Sequence, residues 1–461
     1  MSASASPMRW FSTPGLADIP EVGGKSASLG ELASNLAADV ETVATGFALT
    51  PSLYREAPAA AAAWPTLHNL LDRLDVSKVA DLATAAAVRR AIVCEATGTP
   101  RLQDLIAEAY AKLTTEYGPG VPVAVRSGAT AEDLPPASFA GQHESFLNIN
   151  GLDDVVEACR RSFASLFADR AIVYRVNHGF DHFKMALSVG VMKMVRSIHA
   201  TSGAIFTLDA ESGFRDVVFV TDSYGLGGNV VQGKVDPDKF YVHKPPFCQG
   251  HRAVRQRKLG RKRLTMGLAP GHFGATTADQ PTPLEKRARF CVTDAEVLNL
   301  ADQATQIEDH YSSVARHPEP MDIESAKDPI DGRLYIVRAR SETVASRKEP
   351  SMRETYTPRA AAVPVVTGKA VGSKIAGGMV RAVGGVADLA ALRPGEVLVA
   401  AETRPDREPV TKTAGAIVTD HGGRACHVEV IEAAHPVPDV NSEPGARYVH
   451  LSNPGRLGSS R

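Results

Sequence analysis

Cysteine is scarce in this chain of 461 residues, which contains five at irregular spacing: Cys94, Cys159, Cys248, Cys291 and Cys426. An odd, scattered set excludes a small scaffold held together by disulfides and favours free thiols in a reducing compartment. The adjacent Cys426 and His427 have no second pair nearby to complete a tetrahedral metal site. We therefore expect neither a disulfide framework nor a Cys–His metal centre.

Charge of one sign and long apolar runs are also lacking. The formal net charge is −1, which provides no overall field that would favour nucleic acid or an anionic membrane. No apolar run approaches the ~20 residues of a membrane span. The opening MSASASPMRW lacks the charged start and apolar core of a signal peptide. With 44% hydrophobic and 22% charged residues, the composition predicts a soluble cytoplasmic protein of two or three domains, without nucleic-acid or membrane partners.

The periodicity of apolar residues divides the chain into helical and strand-rich parts. Helical spacing over residues 30–36, 64–117, 153–174 and 293–311 predicts helices. The runs VPVAVRS, ALSVGVMKMV, GAIFTLDA and DVVFVTDSYG are separated by Gly, Ser and Asp, which predicts strands. The basic stretch HRAVRQRKLGRKR lacks the interleaved aromatics of a nucleic-acid surface, so a solvated loop or hairpin is preferred. Residues 346–364 have linker composition, and GEVLVA and AGAIVTD predict strands of a further small domain.

The stretch VGGKSASLGEL places two glycines before Lys25, and a helix is predicted to follow. Backbone N–H groups at a helix start, together with a lysine, can bind phosphate. A plain Gly-Gly turn with a surface lysine is an equally good interpretation, because the spacing is not that of a Walker motif.

Arg126 ends the apolar run VPVAVR and precedes a long loop of small residues that contains Glu132 and Asp133. A guanidinium at this place can bind phosphate oxygens in a bidentate manner. Small side chains would allow the loop to close over a nucleotide. An ordinary surface loop is the weaker alternative, given the length and composition of the stretch.

The stretch PMDIESAKDPIDGRLYIVRARSE predicts two antiparallel strands. Asp322 and Glu324 alternate with apolar residues, so both carboxylates emerge on one face of the first strand. Arg338 and Arg340 share a face of the second. Carboxylates beside arginines suit Mg²⁺ with polyphosphate, and a cross-strand ladder of salt bridges is an equally good interpretation.

The stretch TDHGGRACHVEVIE follows one of the short strands of the small domain. Gly422 and Gly423 permit a tight turn, and Arg424 can pair with an anion. His427 would then lie in the first turn of a helix, where the dipole favours a phosphoryl group on the imidazole. An imidazole nitrogen is a competent nucleophile for phosphoryl transfer. An isolated histidine is nevertheless more often a surface or packing residue.

Five strings together resemble the phosphoenolpyruvate synthase family, which includes pyruvate phosphate dikinase: VRSGATAEDLPPASFAGQHESFLN, FASLFADRAIVYRVNHGFDH, FTLDAESGF, VVQGKVDPDKFYVHK and PMDIESAKD. The resemblance extends to about His435. It implies an α+β fold with a two-lobed ATP-grasp domain (residues 1–345), a linker (346–365), a swivelling β/β/α phosphohistidine domain (366–440) and a disordered tail (441–461). Rifampicin phosphotransferase shares the architecture, but YRVNHGFDH and GGRACH are closer to the synthase.

The resemblance implies ATP and Mg²⁺ as cofactors. By its motifs, Lys25 and Arg126 would hold the phosphates, Glu324 would be a Mg²⁺ ligand, and Arg340 would lie against the polyphosphate. His427, with Arg126 as a second catalytic residue, would take a phosphoryl group from ATP. This is the first half of the conversion of pyruvate, ATP and water to phosphoenolpyruvate, AMP and phosphate.

Several positions depart from the family pattern. Arg338 and Ser341 stand where Gln and Pro are usual, Ala425 replaces a regulatory threonine, and Glu429 places a negative charge near the phosphoryl site. The family's pyruvate-binding barrel is missing from the sequence, so pyruvate or phosphoenolpyruvate would be reached through a separate barrel protein. One alternative is a degenerate nucleotide-binding pseudoenzyme or gene relic. Another is a rifampicin-type phosphotransferase, for which the short linker leaves no room for a substrate domain.

Overall fold

The computed structural model describes most of the chain up to residue 347 and parts of the remainder. The described residues are 6–36, 43–72, 79–129, 144–177, 179–210, 212–269, 277–343, 345–347, 366–367, 369–370, 376–383, 392–400, 413–419, 439–441 and 448–449. The helices are α1 (Ile19–Asn35), α2 (Pro51–Ala60), α3 (Trp64–Asp72), α4 (Val79–Ala96), α5 (Pro100–Tyr117), α6 (Leu152–Ala164), α7 (Asp169–Asn177), α8 (Gly228–Val231), α9 (Lys244–Cys248), α10 (Leu284–Arg287) and α11 (Asp294–Ala315).

The strands of the first 347 residues are β1 (Met8–Trp10), β2 (Gly46–Leu49), β3 (Val123–Ala129), β4 (Ser145–Ile149), β5 (Leu187–Lys193), β6 (Thr201–Phe206), β7 (Val217–Tyr224), β8 (Asp238–His243), β9 (Gln256–Lys258), β10 (Leu264–Leu268), β11 (Thr277–Pro281), β12 (Met321–Lys327) and β13 (Leu334–Ser341). Those of the C-terminal part are β14 (Val366–Thr367), β15 (Lys369–Ala370), β16 (Val380–Val383), β17 (Val397–Ala400), β18 (Ala416–Thr419), β19 (Asp439–Asn441) and β20 (Tyr448–Val449). This mixture of helices and strands confirms the expected α+β class.

The first sheet is antiparallel, with strand order β1-β2-β5-β3-β4. Its central strands carry apolar side chains that join the helices α2 to α6 in one core. Phe47, Val125 and Val191 from the sheet and Ile106 and Phe163 from the helices are fully buried there. The expected helical stretch at residues 64–117 forms α3, α4 and α5. The last of these begins where Pro100 takes an early helical position and Thr99 Oγ1 accepts a hydrogen bond from Leu102 N.

The second sheet is also antiparallel, with strand order β13-β12-β6-β7-β8-β9. The long helix α11 packs on it and contributes Leu300, Ala304 and Ile307 to the core. A capping box of Thr293 and Glu296 starts α11. The helix covers the stretch whose apolar spacing predicted a helix at residues 293–311.

Helix α1 lies against both sheets. Val22, Ala27 and Leu29 pack with apolar residues of the first sheet, whereas Ser28 Oγ donates to Ala339 O of β13 at 2.6 Å and lies 2.8 Å from Tyr311 Oη of α11. The helix therefore connects the two halves of the N-terminal part.

The basic stretch at residues 251–263 forms the edge strand β9 and the loops around it. Three of its arginines pair with acidic neighbours: Arg252 with Asp302, Arg257 with Asp294 and Arg261 with Asp236. Lys262 is fully buried against Asp238. This stretch is therefore an acid-paired edge with loops, in line with the preferred interpretation.

Five of the described C-terminal strands form a sheet with order β15-β19-β18-β17-β16 and parallel pairing from β16 to β19, and β14 pairs with β20 separately. The predicted strands GEVLVA and AGAIVTD correspond to β17 and β18. Among the described helices, none combines the length and apolar character that crossing a bilayer requires.

Candidate functional site

Arg126 of the first sheet reaches the second sheet and binds Glu324. Its Nη2 donates to Glu324 Oε2 at 2.8 Å, and its Nη1 donates to Val337 O at 3.0 Å. Both charged side chains are mostly buried, with 19% and 16% exposed. Arg126 lies within β3, which continues to Ala129, and not at the strand end as the sequence suggested. The ion pair therefore joins residues almost two hundred positions apart.

The strands β12 and β13 present the other charged groups in register. Asp322 lies opposite Arg340, and Glu324 lies opposite Arg338. Arg340 Nε donates to Asp322 Oδ2 at 2.8 Å, and Arg338 Nη1 donates to Glu324 Oε1 at 3.1 Å. The alternating buried positions on β12 confirm that both carboxylates share the less buried face. The cross-strand ladder is thus formed, and Arg126 adds a cation from the opposite sheet.

The electrostatics at Glu324 favour its ionised form. Burial would raise the pKa of this carboxyl, but Arg126 and Arg338 hold the pKa well below its usual range. Each carboxylate oxygen accepts from a different guanidinium group. Glu324 is therefore a fixed anion between two cations at any ordinary pH.

Lys25 reaches the same region from α1. The helix is interrupted at Gly23, whose φ of 75° and ψ of 156° are not helical, and it resumes before Lys25. Lys25 Nζ donates to Ser127 O at 2.9 Å, next to Arg126 on β3. The predicted helix after the glycine pair is present, and it is preceded by one turn that the sequence did not indicate.

Gly23 allows α1 to approach the first sheet closely. A Cβ atom at this position would lie 2.5 Å from Ser188 Oγ and 2.9 Å from Gly128 O. The positive φ and the missing side chain are both required, because any side chain there would displace the helix from β3. The glycine therefore places Lys25 beside the Arg126 strand.

The cluster carries more positive than negative charge: Lys25, Arg126, Arg338 and Arg340 against Asp322 and Glu324. Such a surface can bind a polyphosphate chain, because guanidinium groups match phosphate oxygens in geometry and charge. Across the described part of the chain, no three His, Cys, Asp or Glu side chains gather closely enough to hold a metal ion. Both carboxylates of the cluster already accept hydrogen bonds from guanidinium groups.

Other predicted site residues lie outside the described residues. These are His427 with the glycine turn, Arg424 and Glu429 around it, and the loop acids Glu132 and Asp133. The described strand β18 ends at Thr419, just before the histidine stretch, and pairs in parallel with β17 and β19. The chain therefore enters that stretch from the carboxyl edge of a parallel sheet, the edge where such sheets bind ligands.

Two main-chain acceptors of the site were missed by the sequence reasoning. Ser127 O accepts from Lys25, and Val337 O accepts from Arg126. No side-chain pattern indicates a carbonyl partner, so these contacts had no signal in the sequence.

A family model described as "Pyruvate phosphate dikinase, AMP/ATP-binding domain" matches residues 19–360, and one described as "PEP-utilising enzyme, mobile domain" matches residues 392–447. The chain is 48% identical to a phosphoenolpyruvate synthase of Pseudomonas aeruginosa over 427 residues, which covers 92% of this chain and 53% of the relative. Phosphoenolpyruvate synthases of Synechocystis sp. and Escherichia coli are each 44% identical, over 94% of this chain and 53% of the relative. The chain spans about half the length of these relatives.

Proposed function

The chain belongs to the pyruvate phosphate dikinase AMP/ATP-binding family, and from that premise we propose that it binds ATP between its two antiparallel sheets and transfers the β-phosphoryl group to His427. Water is the co-reactant, and AMP and phosphate are the products. The proposed reaction is the first half of phosphoenolpyruvate synthesis, the activity named for the relatives.

The observation that carries this proposal is the cationic cluster that joins the two sheets. In the proposal, Lys25 and Arg126 bind the phosphates from the side of the first sheet, and Arg340 lies against the polyphosphate from the second. Arg126, which contacts both Glu324 and the phosphates, also acts as the second catalytic residue. A surplus of fixed cations around a triphosphate stabilises the charge that shifts during phosphoryl transfer.

Magnesium enters this proposal as part of the MgATP substrate. Glu324 is the carboxylate assigned to contact that ion. Both oxygens of Glu324 accept from guanidinium groups, so this contact requires one arginine to move aside. Hard oxygen ligands such as carboxylate and phosphate are the ones that Mg²⁺ prefers.

The proposed domain organisation follows the family. An ATP-grasp domain of two lobes would span residues 1–345, a linker 346–365, and a swivelling phosphohistidine domain 366–440. A tail would follow, of which Tyr448–Val449 form strand β20 and pair with β14. The swivelling domain would carry His427 between the nucleotide and a second site, since one imidazole must visit both. Transfer to pyruvate would require a pyruvate-binding barrel, which we propose as the second site that His427 visits.

Labelling with ATP that carries ³²P in the β position tests the proposal. We expect an acid-labile, base-stable label on the protein, with release of AMP. His427→Ala should abolish the label, whereas the matched variant His450→Ala in the proposed tail should keep it. A label that persists in His427→Ala would refute the assignment of the nucleophile.

A second candidate, a nucleotide-binding protein without transfer, is favoured by one observation. Arg338 occupies an oxygen of Glu324 that a metal ion on ATP would use. In this case, ATP would bind in the cleft and no phosphohistidine would form with Mg²⁺ present. Equilibrium binding and β-label incorporation on the same sample separate the two candidates.

A further inference from the structure

Glu324 has a cation on each side before any nucleotide binds. Arg126 reaches Oε2 from the first sheet, and Arg338 reaches Oε1 from the neighbouring strand. The Arg338 side chain is 11% exposed, and the pairing of β12 with β13 fixes its position opposite Glu324. This guanidinium is therefore a preorganised positive charge held beside the carboxylate of Glu324.

We propose that Arg338 takes the place of a divalent cation at Glu324, so that ATP binds to this cleft with little dependence on Mg²⁺. The inference rests on the proposed binding of ATP in the cleft. It adds a specificity-determining role for Arg338, namely which ionic form of the nucleotide is bound.

The first argument is the competition for Glu324. A magnesium ion that binds this carboxylate must take over an oxygen that already accepts a charge-assisted hydrogen bond, which is stronger than a neutral one. The ion and the guanidinium, two like charges, would then have to share one mostly buried carboxylate, which is unfavourable. The ion therefore gains less at Glu324 than it would at a carboxylate without arginine partners.

The second argument is the charge that the nucleotide meets. Arg126 and Arg338 both pair with Glu324, so two guanidinium charges surround one carboxylate. Asp322 and Arg340 neutralise each other. Metal-free ATP, which is more negative than MgATP, is attracted more strongly by this surplus than its magnesium complex is.

The test compares the dissociation constant of ATP for the full chain with Mg²⁺ and with EDTA, by isothermal titration calorimetry. For the wild type we expect the two constants to agree within about threefold, which is under 1 kcal/mol. For Arg338→Gln, which removes the charge, EDTA should weaken binding by about tenfold or more. The matched control Arg333→Gln changes an exposed arginine of the same hairpin and should behave as the wild type does.

Each outcome decides one point. Equal magnesium dependence in the wild type and Arg338→Gln would overturn the role of Arg338 while leaving ATP binding in place. If no sample binds ATP with or without Mg²⁺, the proposed function itself fails. Should Arg338→Gln not fold, as judged by circular dichroism, Arg338→Lys provides the second variant. Lysine keeps the positive charge but lacks the planar N–H donors of the guanidinium group. This variant should still bind ATP in the presence of EDTA.

Discussion

At the scale of single residues, Glu324 connects the parts of the site. It accepts from Arg126 of the first sheet and from Arg338 across the strand pair. One carboxylate thereby fixes two guanidinium groups that would otherwise repel each other. Glu324 therefore holds two of the cations that surround the proposed phosphate site.

A double-mutant cycle of Arg126→Met and Glu324→Gln measures that connection. We expect each single change to cost about 1.5–3 kcal/mol of unfolding free energy and the coupling between them to be about 1–3 kcal/mol. Urea denaturation of the four proteins provides the values. The more exposed pair Arg90 and Asp169, whose N···O contact is 3.1 Å, serves as control and should couple by under about 1 kcal/mol. Equal coupling in both pairs would contradict the special role of Glu324.

The residues of the site were more predictable than their partners. The motifs pointed to Lys25, Arg126, Glu324 and Arg340, and the two-residue alternation on β12 placed the carboxylates on one face. That Arg126 binds Glu324 is a long-range contact that no local pattern encodes. The sequence also left the ladder and the phosphate site as equal alternatives, whereas the structure combines cross-strand pairs with a cation from the other sheet.

At the scale of elements, the break in α1 determines where Lys25 lies. Gly23 has a φ of 75° and lies against Ser188 and Gly128. The pair of glycines was readable as a turn before a helix. The helical turn ahead of it was not, because a glycine with positive φ inside a helical stretch is rare and its reason, close packing on β3, is tertiary.

Gly23→Ala should therefore destabilise the protein by about 2–4 kcal/mol, since backbone strain and steric overlap add. Gly120→Ala is the matched control, because Gly120 has a φ of 69° and a Cβ atom added there would meet nothing within 4 Å. This control should cost only about 1–2 kcal/mol from the strain itself. Thermal unfolding measures both, and equal losses would contradict the packing explanation.

The strands β7 and β8 contain a buried polar group that the sequence did not reveal. Asp222 lies opposite Asp238, and Asp238 binds the buried Lys262. Cys291 Sγ lies 3.6 Å from Asp222 Oδ1. Burial, helped by the neighbouring Asp238 charge, raises the pKa of Asp222 to about 8. A basic stretch that looked like a solvated loop thus supplies a buried cation that balances Asp238.

The raised pKa predicts a loss of stability with rising pH. Asp222 binds its proton more tightly in the folded protein than in the unfolded one. Its contribution to the free energy of unfolding is therefore fully present below the unfolded pKa near 3.8. It is lost as the pH rises through about 8. Relative to the wild type, the free energy of unfolding of Asp222→Asn should therefore rise by on the order of 1–4 kcal/mol between about pH 5 and pH 8. Urea denaturation across this range is the measurement. In the control Asp216→Asn, which changes an exposed residue, the free energy of unfolding should depend on pH as it does in the wild type. The same pH dependence in Asp222→Asn would contradict the assignment of Asp222 as a buried neutral acid.

At the scale of the whole molecule, helix α1 and the Arg126–Glu324 ion pair connect the two large antiparallel sheets. Strands such as β3, β5, β6 and β7 and helices such as α5 and α11 followed from local periodicity and caps. The order of strands in each sheet, and the way α1 joins them, did not, because pairing between distant segments depends on the whole fold. The cationic cluster is formed only at this scale, since its members come from α1, β3 and β13 together.

The central claim is that this joint cluster binds the triphosphate of ATP. The most direct measurement is calorimetric titration of ATP into the full chain and into Arg126→Met, with Arg90→Met as control. The account predicts that the wild type and Arg90→Met bind ATP equally and that Arg126→Met binds it about tenfold more weakly or worse, a loss of at least about 1.4 kcal/mol. Equal affinity of all three proteins, or no binding by the wild type, would contradict it.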